Sequence, residues 1–218
     1  LGLGLDDRLR NPAAGELGRG MPVQVHHSIP RRGEGRGQGR GEVRGVRLGG
    51  PQAAILVEEL AELGVRTIVG VGAAGGLVEG FPKGTQAVAT RALVTDGTSP
   101  HYTSDDAVCP DPDLLDLAKA VATDADLPTR DACVAAVDAV YRETPELVES
   151  YRALGAQIVN MESAPFYAAA TLCGVRALWI GHVSDSLADG QWEPWDDLDD
   201  MTAVTADWAA GVLASLAG

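Results

Sequence analysis

Apolar positions recur at helical spacing over residues 51–63, where Ala53, Ala54, Leu56, Val57, Leu60 and Leu63 fall on one face. Pro51 follows Gly49 and Gly50, and its fixed φ suits a first helical position. Residues 67–71 are a β-branched run that reads as a strand ending in a Gly-rich turn, 72–76. Further strands are expected at 86–94, 132–140, 156–159 and 176–183. Helices are expected at 113–123, 145–154, 162–173 and 201–216, with Asp111 or Asp113 capping the first of these. The loop 184–200 is acidic, carries Trp192 and Trp195, and reads as a solvated surface, with a lid over a site as the alternative. Strands alternating with helices of this length predict an α/β layer fold with a parallel or mixed sheet. In such folds ligands sit beyond the carboxyl ends of strands. Three strand ends therefore stand out: 72–76, 160–162 and 184–185.

The first 48 residues follow no such pattern. Residues 21–28 resemble a strand, but 30–48 carry Arg and Gly in near alternation and few apolar side chains. Such a segment cannot bury enough surface to offset its ordering entropy. It reads as a disordered linker or as the product of a shifted reading frame that resumes near Gly49. Without interleaved aromatic residues it does not read as an RNA-binding tail. Residues 1–48 are thus expected to stand apart from a domain at 49–218.

Charge divides the chain at the same place. Residues 1–50 hold nine Arg against five acids, a balance of +4, whereas the whole chain of 218 residues carries −14. The acidic remainder argues against nucleic-acid and anionic-membrane partners. Nineteen Asp, twelve Glu and only two Lys (Lys83 and Lys119) beside fifteen Arg predict a salt-adapted, halophilic surface. A GC-rich genome also favours Arg over Lys. No run of about 18 apolar residues predicts a membrane helix, and residues 1–10 do not read as a secretory leader. The expected location is cytoplasmic. Cys109, Cys133 and Cys173 form neither a disulfide framework nor a zinc motif.

Each strand end has a plain structural reading and a chemical one. Glycines at 72–76 allow a tight turn, and they also let a ligand approach backbone N–H groups. Glu162 follows an apolar strand and opens an Ala-rich helix. It either caps that helix or accepts two hydrogen bonds from a vicinal diol such as that of a ribose. Asp185 ends a strongly apolar strand and either makes an Asx turn or serves as a general acid toward a leaving group.

Taken together and in order, these motifs resemble the purine nucleoside and uridine phosphorylase family. The resemblance rests on Gly50-Pro51-Gln52-Ala53-Ala54-Ile55-Leu56-Val57-Glu58-Glu59-Leu60, Gly64-Val65, Gly72-Ala73-Ala74-Gly75-Gly76-Leu77, Asn160-Met161-Glu162-Ser163-Ala164, Gly174-Val175-Arg176-Ala177 and Val183-Ser184-Asp185. It covers residues 48–218. It implies a phosphorylase/hydrolase-like α/β fold, with a mixed, barrel-like central sheet flanked by helices, assembled as a homo-oligomer. It also implies cleavage of the N-glycosidic bond of a nucleoside, with phosphate as co-substrate and no metal or organic cofactor. By the resemblance, Glu162 binds the ribose hydroxyls, Met161 packs on the sugar and Asp185 protonates or hydrogen-bonds purine N7. Val140 and Tyr141 flank base and sugar, and Gly72, Ala73 and Gly75 line the site.

Three departures qualify that likeness. The family's phosphate-binding Arg and Ser/Thr correspond here to Gly70 and Ala73, and the nucleosidases of the same superfamily likewise lack the Arg. No Arg follows Arg176, although related purine phosphorylases often pair the Asp with a later Arg. Thr144 and Glu146 replace the Gln and Arg that read uracil, which with Asp185 favours purines. A nucleoside phosphorylase is therefore expected, with a hydrolytic nucleosidase and a non-catalytic nucleoside-binding paralogue as alternatives.

Overall fold

The computed structural model describes residues 24–30, 38–44, 49–190, 192–193 and 198–216. Its eight strands are β1 (Gln24–Pro30), β2 (Gln38–Arg44), β3 (Thr67–Gly76), β4 (Gln86–Leu93), β5 (Ala107–Val108), β6 (Thr129–Ala136), β7 (Ile158–Asn160) and β8 (Arg176–Ser186). Five helices accompany them among the described residues: α1 (Gly50–Glu62), α2 (Pro112–Asp124), α3 (Pro145–Ala153), α4 (Ser163–Leu172) and α5 (Leu198–Ser215).

Five strands close into a ring. β3 pairs with β7 antiparallel, β7 with β6 parallel, β6 with β4 parallel, β4 with β8 antiparallel and β8 with β3 parallel. This is the mixed, barrel-like sheet that the family resemblance implies. Closure leaves few unpaired edges. β5 adds to β4, and the β1–β2 hairpin adds to β3 along residues 68–71.

Alternation along the strands sorts the core. Ile68, Ala74, Trp179 and Val183 face α1 and α4. Val69, Val71, Leu178 and Ile180 face α2 and α5. A third cluster joins Leu77, Leu93 and Val159 to Val148 and Tyr151 of α3. The period of two puts consecutive residues on opposite faces. Tyr167 of α4 fastens two ring strands: its hydroxyl donates to the Ala89 carbonyl at 2.8 Å and accepts from the Trp179 N–H at 2.9 Å. Helix α2 starts as expected, with Asp111 Oδ1 accepting from the Leu114 N–H at 2.9 Å.

Several expectations change. Residues 72–76 are no turn but the end of β3, paired with β8 throughout. The glycines serve close packing instead: the Trp179 indole lies across Gly70, Gly72 and Gly181. A Cβ at Gly72 would sit 3.2 Å from Trp179 Nε1, and one at Gly181 would collide with the ring and with the Gly72 carbonyl. Glycine within a strand marks such approaches as readily as it marks turns. β6 ends at Ala136, because Asp138 turns away to accept from the Gly97 N–H at 2.7 Å, and residues 140–142 form a 3-10 turn. β8 runs on to Ser186, so Ser184 and Asp185 belong to the strand. Residues 38–44, read as part of a linker, pair with β1 in full register. Backbone pairing needs no apolar side chains, and the β3 edge supplies the template. Residues 1–23, 31–37 and 45–48 of the anticipated N-terminal segment lie outside the described residues.

Candidate functional site

The topology brings the three strand ends together at Gly75. That residue pairs with Val159 of β7 on one side and with Asp185 of β8 on the other. A Cβ there would lie 3.2 Å from Val159 Cγ1 and 3.5 Å from Asp185 Oδ2. The β3–β8 register slips by one residue here, from Ala74↔Val183 to Gly75↔Asp185. A bulge of this kind re-aims a side chain at the end of a ladder. Most of β3 is buried, but Gly72 and Ala73 are partly exposed and open the strand toward solvent. Because β7 runs antiparallel to β3, the chain beyond Val159 heads back alongside Ala74 and Ala73, leading to Met161 and Glu162.

Glu162 does not cap α4. Its side chain makes no capping hydrogen bond. Asn160 does that work: its Oδ1 accepts from the N–H groups of Glu162 at 3.2 Å and Ser163 at 3.1 Å, and its Nδ2 donates to Ser163 Oγ at 2.6 Å. The Glu162 carboxyl accepts only from the Met161 N–H, at 3.1 Å, among the described residues. Burial pushes its pKa up to about 8, against the opposing pull of that N–H. At neutral pH the carboxyl is therefore largely protonated, able both to donate and to accept. The amino end of α1 abuts this segment, since a Cβ at Gly49 would meet Met161 Cε at 3.8 Å and one at Gly50 would meet the Met161 carbonyl at 3.4 Å.

Asp185 is not in an Asx turn. Its Oδ1 accepts from Ser184 Oγ at 2.6 Å and its Oδ2 from Trp192 Nε1 at 2.9 Å. The solvated-surface reading of the loop after β8 therefore fails at Trp192, whose ring turns inward. Val140 and Tyr141 are exposed, on the 3-10 turn. The next residue but one, Glu143, comes close to Asp185: burial, and then the negative charge of Asp185, push its carboxyl up to about 7. Glu143 is thus a neighbour that sequence reasoning missed, whereas Trp192 lies in the loop it offered, in the alternative, as a lid. Nothing in the local sequence of Glu143 distinguishes it from a surface residue. Arg152 of α3 braces the region, donating to the carbonyls of Leu77, Leu187 and Ala188 at 2.7–2.9 Å.

Gly70, where the family resemblance leads one to expect a phosphate-binding Arg, faces the core. A Cβ there would lie 3.3 Å from Phe166 Cε1 and 3.5 Å from Trp179 Cδ1. Among the described residues, no cluster of His, Cys, Asp and Glu is arranged to hold a metal ion. No helix among them is long and apolar enough to cross a membrane.

A closed mixed sheet flanked by helices, with two carboxyl groups at adjoining strand ends, defines an α/β protein. The phosphorylase superfamily matches residues 10–217, and the chain belongs to that superfamily. The match begins well before residue 48, so the likeness extends into the Arg/Gly-rich segment. The guanosine phosphorylase of Halorubrum lacusprofundi is 33% identical over 161 residues, which is 73% of this chain and 67% of that one. A DeoD-type purine nucleoside phosphorylase of Vibrio cholerae is 32% identical over 179 residues, 76% of this chain and 73% of that one. Against several other relatives the chain spans 60–62% of their length. Among solved structures, the AMP nucleosidase of Bacteroides thetaiotaomicron superposes with a TM-score of 0.69 at 15% identity, covering 80% of this chain and 71% of that one. That match bears on the fold alone.

Proposed function

We propose that this protein is a nucleoside phosphorylase that cleaves the N-glycosidic bond of a purine nucleoside, with phosphate as the attacking group. The observation that carries the reading is the meeting of Gly75 and Asp185 across the β3–β8 ladder, with Glu162 reached from β7 beside the same strand. Asp185 faces the base and Glu162 the ribose. Met161 packs on the sugar, Val140 and Tyr141 flank base and sugar, and the partly exposed Gly72 and Ala73 line the floor with Gly75.

In the reaction the bond from the anomeric carbon to the base nitrogen breaks and its electrons pass to the base. Asp185 donates a proton or a hydrogen bond to N7, which relieves the added electron density. Positive charge develops on the sugar ring, as in glycoside hydrolysis. Two ribose hydroxyls donating to Glu162 favour its ionised form, its proton passing to solvent as the nucleoside binds, and the resulting anion stabilises that charge. A phosphate oxygen then bonds to the anomeric carbon from the opposite face, giving ribose 1-phosphate and free base.

One observation favours a second reading, hydrolysis by water. Gly70 and Ala73 supply no side-chain donor to phosphate, and Phe166 and Trp179 fill the space beside Gly70. The deciding experiment incubates the protein with inosine, guanosine, adenosine and uridine, with and without phosphate, at low and high salt. Ribose 1-phosphate formed only with phosphate supports phosphorolysis. Base release without phosphate selects the nucleosidase. Binding without turnover selects the non-catalytic paralogue. A homo-oligomeric state and a cytoplasmic location belong to the same proposal, with a nucleoside and phosphate as the partners.

A further inference from the structure

Trp192 lies in the loop that follows β8, and its indole N–H reaches Asp185 Oδ2 at 2.9 Å. The fold holds it there. Ser186 and Glu193 exchange both backbone hydrogen bonds, at 3.0 and 2.8 Å, so the residue next to Trp192 is locked to the end of the strand that carries Asp185. Lys83 meets Glu193 at 2.8 Å, and Arg152 grips the carbonyls of Leu187 and Ala188 at 2.9 Å each.

The donor set on Asp185 is asymmetric. An indole N–H donates and cannot accept. Oδ2 therefore serves as the acceptor toward Trp192. Ser184, on Oδ1, can do either. When the Ser184 hydrogen turns instead to the Ala74 carbonyl, 3.4 Å away, Oδ1 is left free to carry a proton toward the base. The two neighbours together fix the carboxyl plane and the oxygen that carries the exchangeable proton.

We infer that Trp192 is the positioning residue for Asp185: its N–H orients the carboxyl so that the proton is delivered along one line to the departing base. The inference rests on the proposed role of Asp185. It adds a residue outside the motifs that carry the family resemblance.

The test compares Trp192→Phe, which keeps a ring and loses the donor, with Trp192→His, which keeps a ring N–H. Steady-state turnover of the best nucleoside is measured for each, alone and combined with Asp185→Asn, after melting curves show each variant folded. Trp192→Phe is expected to lower kcat about 10–100-fold with KM nearly unchanged, the scale at which a small misplacement acts. Trp192→His should recover most of the loss. Combined with Asp185→Asn, the Phe variant should cost nothing more, because the two changes remove one interaction. Turnover of Trp192→Phe within twofold of the unaltered protein overturns the inference, as does a loss that multiplies with that of Asp185→Asn. Should Trp192→Phe fail to fold, Trp192→Leu, which also lacks the donor, takes its place in the same comparison with Asp185→Asn. Absence of turnover by the unaltered protein overturns the functional proposal and this inference with it.

Discussion

Gly75 stands directly opposite Asp185 in the β3–β8 ladder, and the place where its Cβ would be lies 3.5 Å from Asp185 Oδ2. The missing side chain leaves room beside that oxygen, which accepts from Trp192 Nε1. Gly75→Ala would also press on Val159 Cγ1 at 3.2 Å. The expected cost is about 1–2 kcal/mol in stability, from overpacking. A methyl group beside Asp185 should in addition weaken nucleoside binding about tenfold, a change of about 1.4 kcal/mol. Calorimetric titration beside a urea melt checks both, and unchanged affinity would remove Gly75 from the site.

Asp185→Asn keeps the shape of the side chain and loses the acid. Nucleoside binding should persist, while turnover of purine nucleosides falls about 100- to 10,000-fold, the range of general acid catalysis. Assaying free base release beside equilibrium binding separates the two quantities.

Glu162→Gln retains a donor and an acceptor but cannot become an anion. The substituted protein should bind ribose-bearing ligands within a few-fold of the unaltered one and lose turnover about 100-fold or more, on the scale of removing one electrostatic stabiliser. An equal loss in binding and turnover would place Glu162 in ground-state recognition alone.

The raised carboxyls set the alkaline side of stability. Glu162, near 8, and Glu143, near 7, bind protons more tightly folded than unfolded. Their contribution is complete below their ordinary value of 4.5 and is lost as pH rises through 7–8. His182 works against them. Burial lowers it from 6.5 to about 4, and its Nε2 has no hydrogen-bond partner among the described residues. Its contribution is complete above 6.5 and is lost as pH falls toward 4. Between 4.5 and 6.5 the two carboxyls outweigh His182, so stability should fall as pH rises from about 4.5 through 7–8. Glu162→Gln should flatten that fall, and His182→Gln should steepen it below pH 6.5, in urea midpoints taken from pH 4 to 9.

Gly181→Ala tests the packing of the ring. The added methyl would overlap the Trp179 indole and the Gly72 carbonyl. Backbone cannot yield as a flexible side chain does, so a loss of about 3 kcal/mol or more is expected. A variant that melts within a degree of the unaltered protein would show that Trp179 moves freely.

Much of this architecture was legible in residue order. The apolar face over Ala53–Leu60, the Asp111 cap and the apolar run ending at Asp185 each stand in the structure close to where local patterning puts them. The glycines at 72–76 misled in form, because a glycine signals either a turn or a close neighbour. Pairing with β8, more than a hundred residues away, makes them a strand, with Trp179 across Gly72, Val159 beside Gly75 and the Phe81 carbonyl beside Gly76. Likewise Glu162 resembled a helix cap until Asn160 was seen to satisfy the same N–H groups.

The sequence by itself determined the α/β alternation, the family motifs and the two carboxylates, since periodicity, caps and short motifs are local properties. Closure of the ring, the one-residue slip that aims Asp185, and the approach of Glu143 and Trp192 to it were decided only in three dimensions. Those features depend on which strand edges meet, and hydrogen-bond registry between segments distant in sequence leaves no periodic mark on either one.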